Sequence, residues 1–233
     1  MKSARWKPAA RRFWLEWLKP CLLILLVTGA MRSALADWND VPTGSMKPTI
    51  LEGDRVWVNK LAYDLKVPFT TWHLAEWGGP QRGEVVVFFS PADGMRMVKR
   101  VIGLPGDTLE LRDNRLLLNG RAVDYATMDA AAVNAIPVAQ RQHHDFASEQ
   151  LPERQHPVMA TPTLAALRSF GPTRVPAGHY FMLGDNRDNS LDSRYFGPVA
   201  RGRIVGRSTA VVLSLDRERW FAPRWERFFT AMP

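Results

Sequence analysis

A serine on a constrained bend and a lysine on an apolar strand are the residues of this 233-residue chain best suited to chemistry. Ser45 follows Gly44 in the segment Pro42–Thr49 (PTGSMKPT), where glycine and proline restrict the backbone and predict a defined bend. Such a bend presents a hydroxyl oxygen beside free backbone N–H groups. Taken alone, the segment also fits a serine in an ordinary loop. A serine hydroxyl is a poor nucleophile without an adjacent base, so a catalytic interpretation requires one.

The strand predicted over Met95–Ile102 supplies a candidate base. Alternate residues of a strand point to opposite faces, so Lys99 is the only charge on the face that it shares with Met95, Met97 and Val101. Apolar surroundings disfavour the charged ammonium and lower the pKa of the lysine, which suits it to general-base chemistry near neutral pH. The other interpretation of the pattern is an edge lysine whose amine reaches solvent.

A polar segment, Gly184–Arg194 (GDNRDNSLDSR), follows a buried strand predicted at Tyr180–Leu183. Its polar side chains are unsuited to a core and predict a loop held by Asx hydrogen bonds and Arg–Asp pairs. A calcium loop is excluded because Arg187 occupies the third position, where an oxygen ligand is required. The adjacent residues His143 and His144 point in different directions on any regular element, so we expect no metal site.

The elements that must position these residues are predicted to be antiparallel strands joined by tight turns. Further strands are predicted at Arg55–Lys60, Glu84–Phe89, Thr108–Arg112, Arg115–Leu118 and Ile204–Leu213. The stretch 121–175 shows weak periodicity, and we interpret the region of about 108–175 as an insertion or cap. The predicted fold is therefore mainly β, an antiparallel sheet or barrel-like domain over 41–233 with an inserted cap, preceded by one membrane helix within 1–40.

The apolar run Cys21–Met31 is the candidate membrane helix. Extended to about Trp14–Ala36, it is long enough to cross a bilayer if its charged residues reach the interfaces. The sequence Ala34-Leu35-Ala36 is also typical of a signal-peptide cleavage site. We favour a retained anchor over cleavage after Ala36, and the sequence leaves both open.

Charge predicts the orientation and the partner of this segment. The chain carries a formal net charge of +8, and six basic residues precede position 20: Lys2, Arg5, Lys7, Arg11, Arg12 and Lys19. The positive-inside rule therefore places the amino terminus in the cytoplasm and residues 41–233 outside it. We expect a phospholipid surface rather than nucleic acid as partner. Phe69, Trp72 and Trp77 fit either a rim in the membrane surface or a loop packed on the core.

Three blocks together resemble the bacterial type I signal (leader) peptidase family, and they occur in the family's order: Pro42–Thr49, Val98–Asp107 (VKRVIGLPGD) and Gly184–Arg194. The resemblance extends from residue 41 to about residue 207. It implies a Ser/Lys serine endopeptidase on an antiparallel β fold, single-pass in the cytoplasmic membrane of a bacterium, without metal or cofactor. Its substrates would be the signal peptides of exported preproteins, cut at A-x-A sites downstream of the export translocon.

The resemblance also implies the central roles in the site. Ser45 matches the nucleophile and Lys99 the general base. The backbone N–H of Ser45 and the side chain of Thr43 match the oxyanion hole. The family often has serine at the position of Thr43, and the hydroxyl group is kept here.

Supporting roles follow from the same blocks. Ser190 matches the serine that orients the lysine amine, and Asp192 and Arg194 match the pair that braces the loop. Met46 belongs to the substrate-binding edge. Two alternatives remain: another Ser/Lys membrane peptidase of the kind that processes pilins, and a membrane-anchored β-domain that binds peptides without cutting them.

Overall fold

A computed structural model describes residues 11–70, 72–128, 130, 133, 136 and 141–233. The predicted basic tail that contains Lys2, Arg5 and Lys7 lies outside the described residues. The described chain begins with one apolar helix and continues as short antiparallel strands. The predicted fold class, mainly antiparallel β behind an amino-terminal apolar helix, is confirmed.

The apolar helix covers Arg11–Ala34, with a mean hydropathy of 1.5 in its most apolar 18 residues and none of those residues buried. It contains a π-helical stretch, Trp14–Leu18, followed by α1, Lys19–Ala34. At 1.5 Å per residue its 24 residues reach about 36 Å, which is enough for a bilayer core of about 30 Å. The helix ends just before the predicted limit because Ala36 begins a strand.

Eighteen strands follow the helix within the described residues. They are β1 (Ala36–Asp40), β2 (Asp54–Asn59), β3 (Asp64–Lys66), β4 (His73–Glu76), β5 (Val85–Phe89), β6 (Arg96–Gly103), β7 (Thr108–Arg112), β8 (Arg115–Leu118), β9 (Arg121–Ala122), β10 (Asp124–Thr127), β11 (Asp145–Gln150), β12 (Gln155–Ala160), β13 (Phe170–Arg174), β14 (His179–Leu183), β15 (Val199–Ala200), β16 (Ile204–Asp216), β17 (Ala222–Pro223) and β18 (Thr230–Ala231). Short helical segments are α2 (Ser193–Phe196) and the 3-10 turns Lys60–Ala62, Arg201–Arg203, Arg217–Arg219 and Trp225–Arg227.

The large sheet carries the site. Its strands lie in the order β1-β2-β16-β5-β6-β14-β15, with β17 and β18 also pairing with β16, and it curls into a half-barrel. The apolar run of β5 is buried on both faces up to Phe88, as its unbroken hydrophobicity predicts. Core side chains on the two faces of β5 therefore fix this strand. Five residue pairs between β5 and β6 then fix the position of β6.

The region predicted as a cap is more regular than its sequence indicated. It contains a sheet β13-β7-β8-β9 and a second sheet β10-β11-β12, although the periodicity over 121–175 is weak. Met159 of β12 joins this region to the polar loop: its N–H donates to Asp185 O and its carbonyl accepts from Arg187 N, both at 2.8 Å. β1 is the edge strand of the large sheet. The predicted domain boundaries remain predictions.

Candidate active site

Ser45 lies on a turn-rich segment between β1 and β2, as the bend in Pro42–Thr49 predicts. Lys47 N donates to Gly44 O at 3.1 Å, and the peptide bond between Lys47 and its following proline is cis. Asn186 holds the segment from the polar loop: its Nδ2 donates to Gly44 O and its backbone N–H donates to Ser45 O, both at 3.1 Å. The nucleophile candidate is thus fixed through its backbone, and only 9% of Ser45 is exposed.

Lys99 is brought to Ser45 by β6. Its Nζ lies 2.6 Å from Ser45 Oγ, and the lysine is only 4% exposed. Burial lowers the pKa of Lys99 from 10.5 to about 8; the carboxylates of Asp192 and Asp185 oppose this change, and Arg194 adds to it. A neutral amine is therefore accessible near physiological pH, which a general base requires. The interpretation of Lys99 as a solvent-reaching edge lysine is wrong.

Ser45 and Lys99 line one cavity of about 450 Å³. Its walls come from the segment after β1, from β6 and its hairpin, and from the polar loop: Asn39–Thr43, Met46, Asp93, Met95–Val98, Asn189 and Leu191. Most of these side chains are apolar or uncharged. A separate cavity of about 520 Å³ between β11, β12 and Arg187 includes neither Ser45 nor Lys99.

The two hydrogen-bond donors that the family resemblance assigns to an oxyanion hole are the Thr43 hydroxyl and the backbone N–H of Ser45. Thr43 Oγ1 is 3.4 Å from Ser45 Oγ. No described residue accepts a hydrogen bond from the backbone N–H of Ser45. The Thr43 hydroxyl donates to Ser45 Oγ in this arrangement, and the oxyanion-hole role that the family resemblance implies for the two groups stays a prediction.

Asp192 and Arg194 form a buried pair within the polar loop. Arg194 donates through Nε to Asp192 Oδ1 at 2.8 Å and through Nη2 to Oδ2 at 2.9 Å, and both side chains are 0% exposed. Asp192 also accepts from Gly184 N at 3.0 Å and caps α2. These contacts hold the loop together from within, and the bracing role that the family resemblance implies for the pair stays a prediction.

Ser190 and Met46 occupy the edges of the site. Ser190 Oγ is buried beside Gly184 and has no hydrogen-bond partner within the described part of the chain, so its predicted role toward Lys99 stays a prediction. A methyl group at Gly184 would collide with that hydroxyl and with Ser45 O. Met46 is 1% exposed and lines the cavity, and it also packs in the core.

The expectation that the polar loop stays out of the core is wrong. Asp185, Asn186 and Arg187 are each at most 2% exposed. Burial is tolerated because the charges are paired: Asp185 receives two hydrogen bonds from Arg100, at 2.8 and 2.7 Å, and Arg187 Nη2 donates to Glu149 at 2.7 Å. Arg100 and Asp185 both lie within the family blocks, but the sequence alone indicates no role for either.

His156 lies beside this buried network, and neither of its ring nitrogens has a hydrogen-bond partner among the described residues. Its Nε2 lies 3.4 Å from Glu149 and 3.8 Å from Asp185, and burial together with Arg100 and Arg187 holds the pKa of His156 well below 6.5. The imidazole is therefore neutral at physiological pH. Among the residues that the structure describes, no cluster of three or more His, Cys, Asp or Glu side chains is arranged to hold a metal ion.

Comparisons with known proteins agree on one family. The family model "Signal peptidase, peptidase S26" matches residues 14–213. A signal peptidase I from Pseudomonas fluorescens is 39% identical over 84% of this chain and 70% of its own length, and one from Pseudomonas aeruginosa is 36% identical over the same shares. A crystal structure of a signal peptidase I from Enterococcus faecalis is 37% identical over 56% of this chain and 97% of that chain. Its TM-score of 0.35 carries no argument about the fold.

Proposed function

The chain belongs to the signal peptidase family, peptidase S26, and on that footing we propose that Ser45 and Lys99 are its catalytic dyad. Its activity is that of a serine endopeptidase that removes signal peptides from preproteins. The observation that carries the proposed mechanism is the 2.6 Å contact between Lys99 Nζ and Ser45 Oγ inside the cavity. A buried lysine with a depressed pKa takes the place that histidine has in other serine proteases.

Acylation follows from this geometry. Neutral Lys99 Nζ accepts the Ser45 hydroxyl proton as Oγ attacks the scissile carbonyl carbon. The resulting oxyanion receives hydrogen bonds from the backbone N–H of Ser45 and from Thr43 Oγ1. When the C–N bond breaks, the Lys99 ammonium returns the proton to the leaving amine. Water then attacks the acyl ester, with Lys99 again taking its proton, and Ser45 is regenerated.

The substrate fits as an added strand. β6 pairs with β5 along Arg96–Arg100, whereas β14 pairs with β6 only over Arg100–Gly103. The second edge of Met97–Lys99 has no partner strand among the described residues and faces the cavity that contains Ser45. A peptide extended along this edge would alternate its side chains, so its first and third residues before the cut would share one face. The small residues of an A-x-A site would share that face and would meet the cavity wall that includes Met46.

The surroundings of the helix support a membrane-held enzyme. Lys60 Nζ donates to the carbonyl oxygens of Arg32 and Ser33 at 2.9 and 3.0 Å, which ties the end of α1 to the 3-10 turn that follows β2. Phe69 packs at Gly29 of the helix and is 63% exposed, and Trp72 is 73% exposed. These exposures favour a rim in the membrane surface over a loop packed on the core.

We place the amino terminus in the cytoplasm by the positive-inside rule, which leaves the catalytic domain outside, downstream of the export translocon. The retained anchor is supported by the engagement of its candidate cleavage site. Ala34 is 5% exposed, Leu35 O accepts from Lys60 N, and Ala36 pairs with Asn59 in the sheet. Sequencing the amino terminus of the purified protein tests this point, because a start at Asp37 would exclude a retained anchor.

The proposed function is tested with the purified full chain and a preprotein that carries an A-x-A site. We expect one cut after the second alanine and an uncut product when that alanine is replaced by phenylalanine. Ser45→Ala is the matched control and should give no cleavage while retaining the circular dichroism of the parent chain. Cleavage by Ser45→Ala would refute the mechanism, and binding of the preprotein without any cleavage by the parent chain would favour a peptide-binding domain.

A further inference from the structure

A segment beyond the family match contacts both halves of the site. We call Trp220–Pro233 the aromatic arm; it follows β16 and lies outside the matched residues 14–213. The arm returns to the large sheet twice, where β17 and β18 pair with β16. Its backbone is therefore anchored to the sheet near both ends, at Ala222–Pro223 and at Thr230–Ala231.

Two arginines of the aromatic arm reach the loop that carries Ser45. Arg227 Nη2 donates to Asp54 Oδ2 at 2.6 Å and to Thr49 O at 3.0 Å. Arg224 Nη2 donates to Glu52 O at 2.6 Å. Asp54 is fully buried and only 18% of the Arg227 side chain is exposed, so little water screens their interaction.

The far end of the arm reaches the strand of the general base. Pro233 O accepts a hydrogen bond from Arg100 Nη1 at 3.0 Å. Arg100 follows Lys99 in β6 and holds Asp185 of the polar loop. Met232 packs against the core cluster that includes Met46. The arm therefore touches the nucleophile loop and the base strand within a few residues of each reacting group.

We propose that Arg227 is a positioning residue for Ser45. This inference rests on the proposed Ser45–Lys99 mechanism. The planar guanidinium fixes Thr49 and Asp54 at once, and Thr49 also donates through its hydroxyl to Asp185. The segment after Ser45 is thereby held at Thr49 from two directions, by Arg227 of the aromatic arm and by Asp185 of the polar loop. Since a shift of about 1 Å in a reacting group can reduce a rate about a hundredfold, loss of this contact lowers turnover without touching the substrate.

The test uses the full chain with Arg227→Met and the A-x-A preprotein, with kcat and KM measured well below the melting temperature of each variant. We expect kcat to fall about tenfold or more while KM changes by less than about twofold. Arg227→Lys keeps the charge and one hydrogen bond, and it should recover part of the lost kcat. The matched control is Arg219→Met, because the Arg219 side chain is 83% exposed and its Nε comes no closer than 3.9 Å to Asp216 Oδ2. This variant should match the parent in both kcat and KM.

A folded Arg227→Met variant with the kcat of the parent and only a lower melting temperature would overturn the inference, because its role would then be structural. If Arg227→Met does not fold, Arg227→Lys decides in the same way: a reduced kcat at unchanged KM supports positioning, and a parental kcat overturns it. Failure of the proposed function is distinguishable from these outcomes, since it appears as cleavage by Ser45→Ala or no cleavage by the parent chain.

Discussion

Lys99 Nζ lies 2.6 Å from Ser45 Oγ, although the two residues are 54 positions apart in the chain. The contact forms because β6 is held by the buried strand β5, while the Ser45 segment is held by Asn186 of the polar loop. The amine is buried among mostly uncharged side chains, so its proton is weakly held. The proposed chemistry depends on that weakly held proton.

Turnover should depend on pH through Lys99. Because only the neutral amine accepts the Ser45 proton, and the pKa of Lys99 is lowered to about 8, kcat/KM should rise with pH up to that value and level off above it. At lower pH the rate should fall about tenfold for each unit of pH. Initial rates of preprotein cleavage between pH 5 and pH 10 measure this rise of kcat/KM with pH. A rate independent of pH across this range would contradict the assignment of Lys99 as base.

Removing either of two charges beside Lys99 should move the midpoint of this pH profile, in opposite directions for the two charges. The Asp192 carboxylate raises the pKa of Lys99 and the Arg194 guanidinium lowers it. Asp192→Asn should therefore shift the midpoint to lower pH, and Arg194→Gln should shift it to higher pH. Circular dichroism confirms folding of both variants before the pH profiles are compared. Shifts in the same direction would show that loop disruption, rather than charge, dominates.

The Thr43 hydroxyl should matter for kcat more than for KM. Thr43→Val keeps the shape of the side chain but removes the donor that lies 3.4 Å from Ser45 Oγ. Loss of one oxyanion donor typically reduces kcat about 10²- to 10³-fold. Thr43→Ser is the matched control and should keep most of the activity because it keeps the hydroxyl. Equal activity of the valine and serine variants would remove Thr43 from the oxyanion hole.

Burial of Lys99 should lower the stability of the folded chain. Its pKa is about 8 when folded and 10.5 when unfolded, so the unfolded chain binds more protons between these values and the free energy of unfolding rises with pH there. Below pH 8 the full penalty applies, which is about 3 kcal/mol. Lys99→Met should therefore melt at a higher temperature than the parent in detergent at pH 7, with a smaller difference at pH 10. A lower melting temperature at pH 7 would contradict this prediction.

The sequence predicted the local part of the site well. Glycine and proline around Ser45 determine the bend, and the alternation in β6 places Lys99 on an apolar face, so both residues could be found from neighbours a few positions away. A continuous apolar run predicted β5, and tight turns between strand-like segments predicted β6 and the β7–β8 hairpin. The meeting of Ser45 and Lys99 within hydrogen-bond distance was implied by the family blocks rather than by their spacing in the sequence.

The long-range polar network could not be predicted from local patterns. Arg100 is on the face of β6 opposite Lys99, and Asp185 pairs with it from 85 positions away and makes its burial possible. His156 is buried by the same network within a stretch whose periodicity is weak. Arg227 and Asp54 are likewise paired across 173 positions. Such pairs depend on tertiary packing, and a single sequence carries no local signal for them.

Cleavage of an A-x-A preprotein by Lys99→Ala tests the central claim most directly. The measurement is the initial rate at pH 8 for the parent chain, for Lys99→Ala and for Ser45→Ala, each purified in the same detergent and checked for folding. The proposed dyad predicts that both variants lose at least about 10³-fold in turnover, because neither a hydroxyl without a base nor a base without a hydroxyl can form the acyl intermediate. Near-full cleavage by folded Lys99→Ala would contradict it.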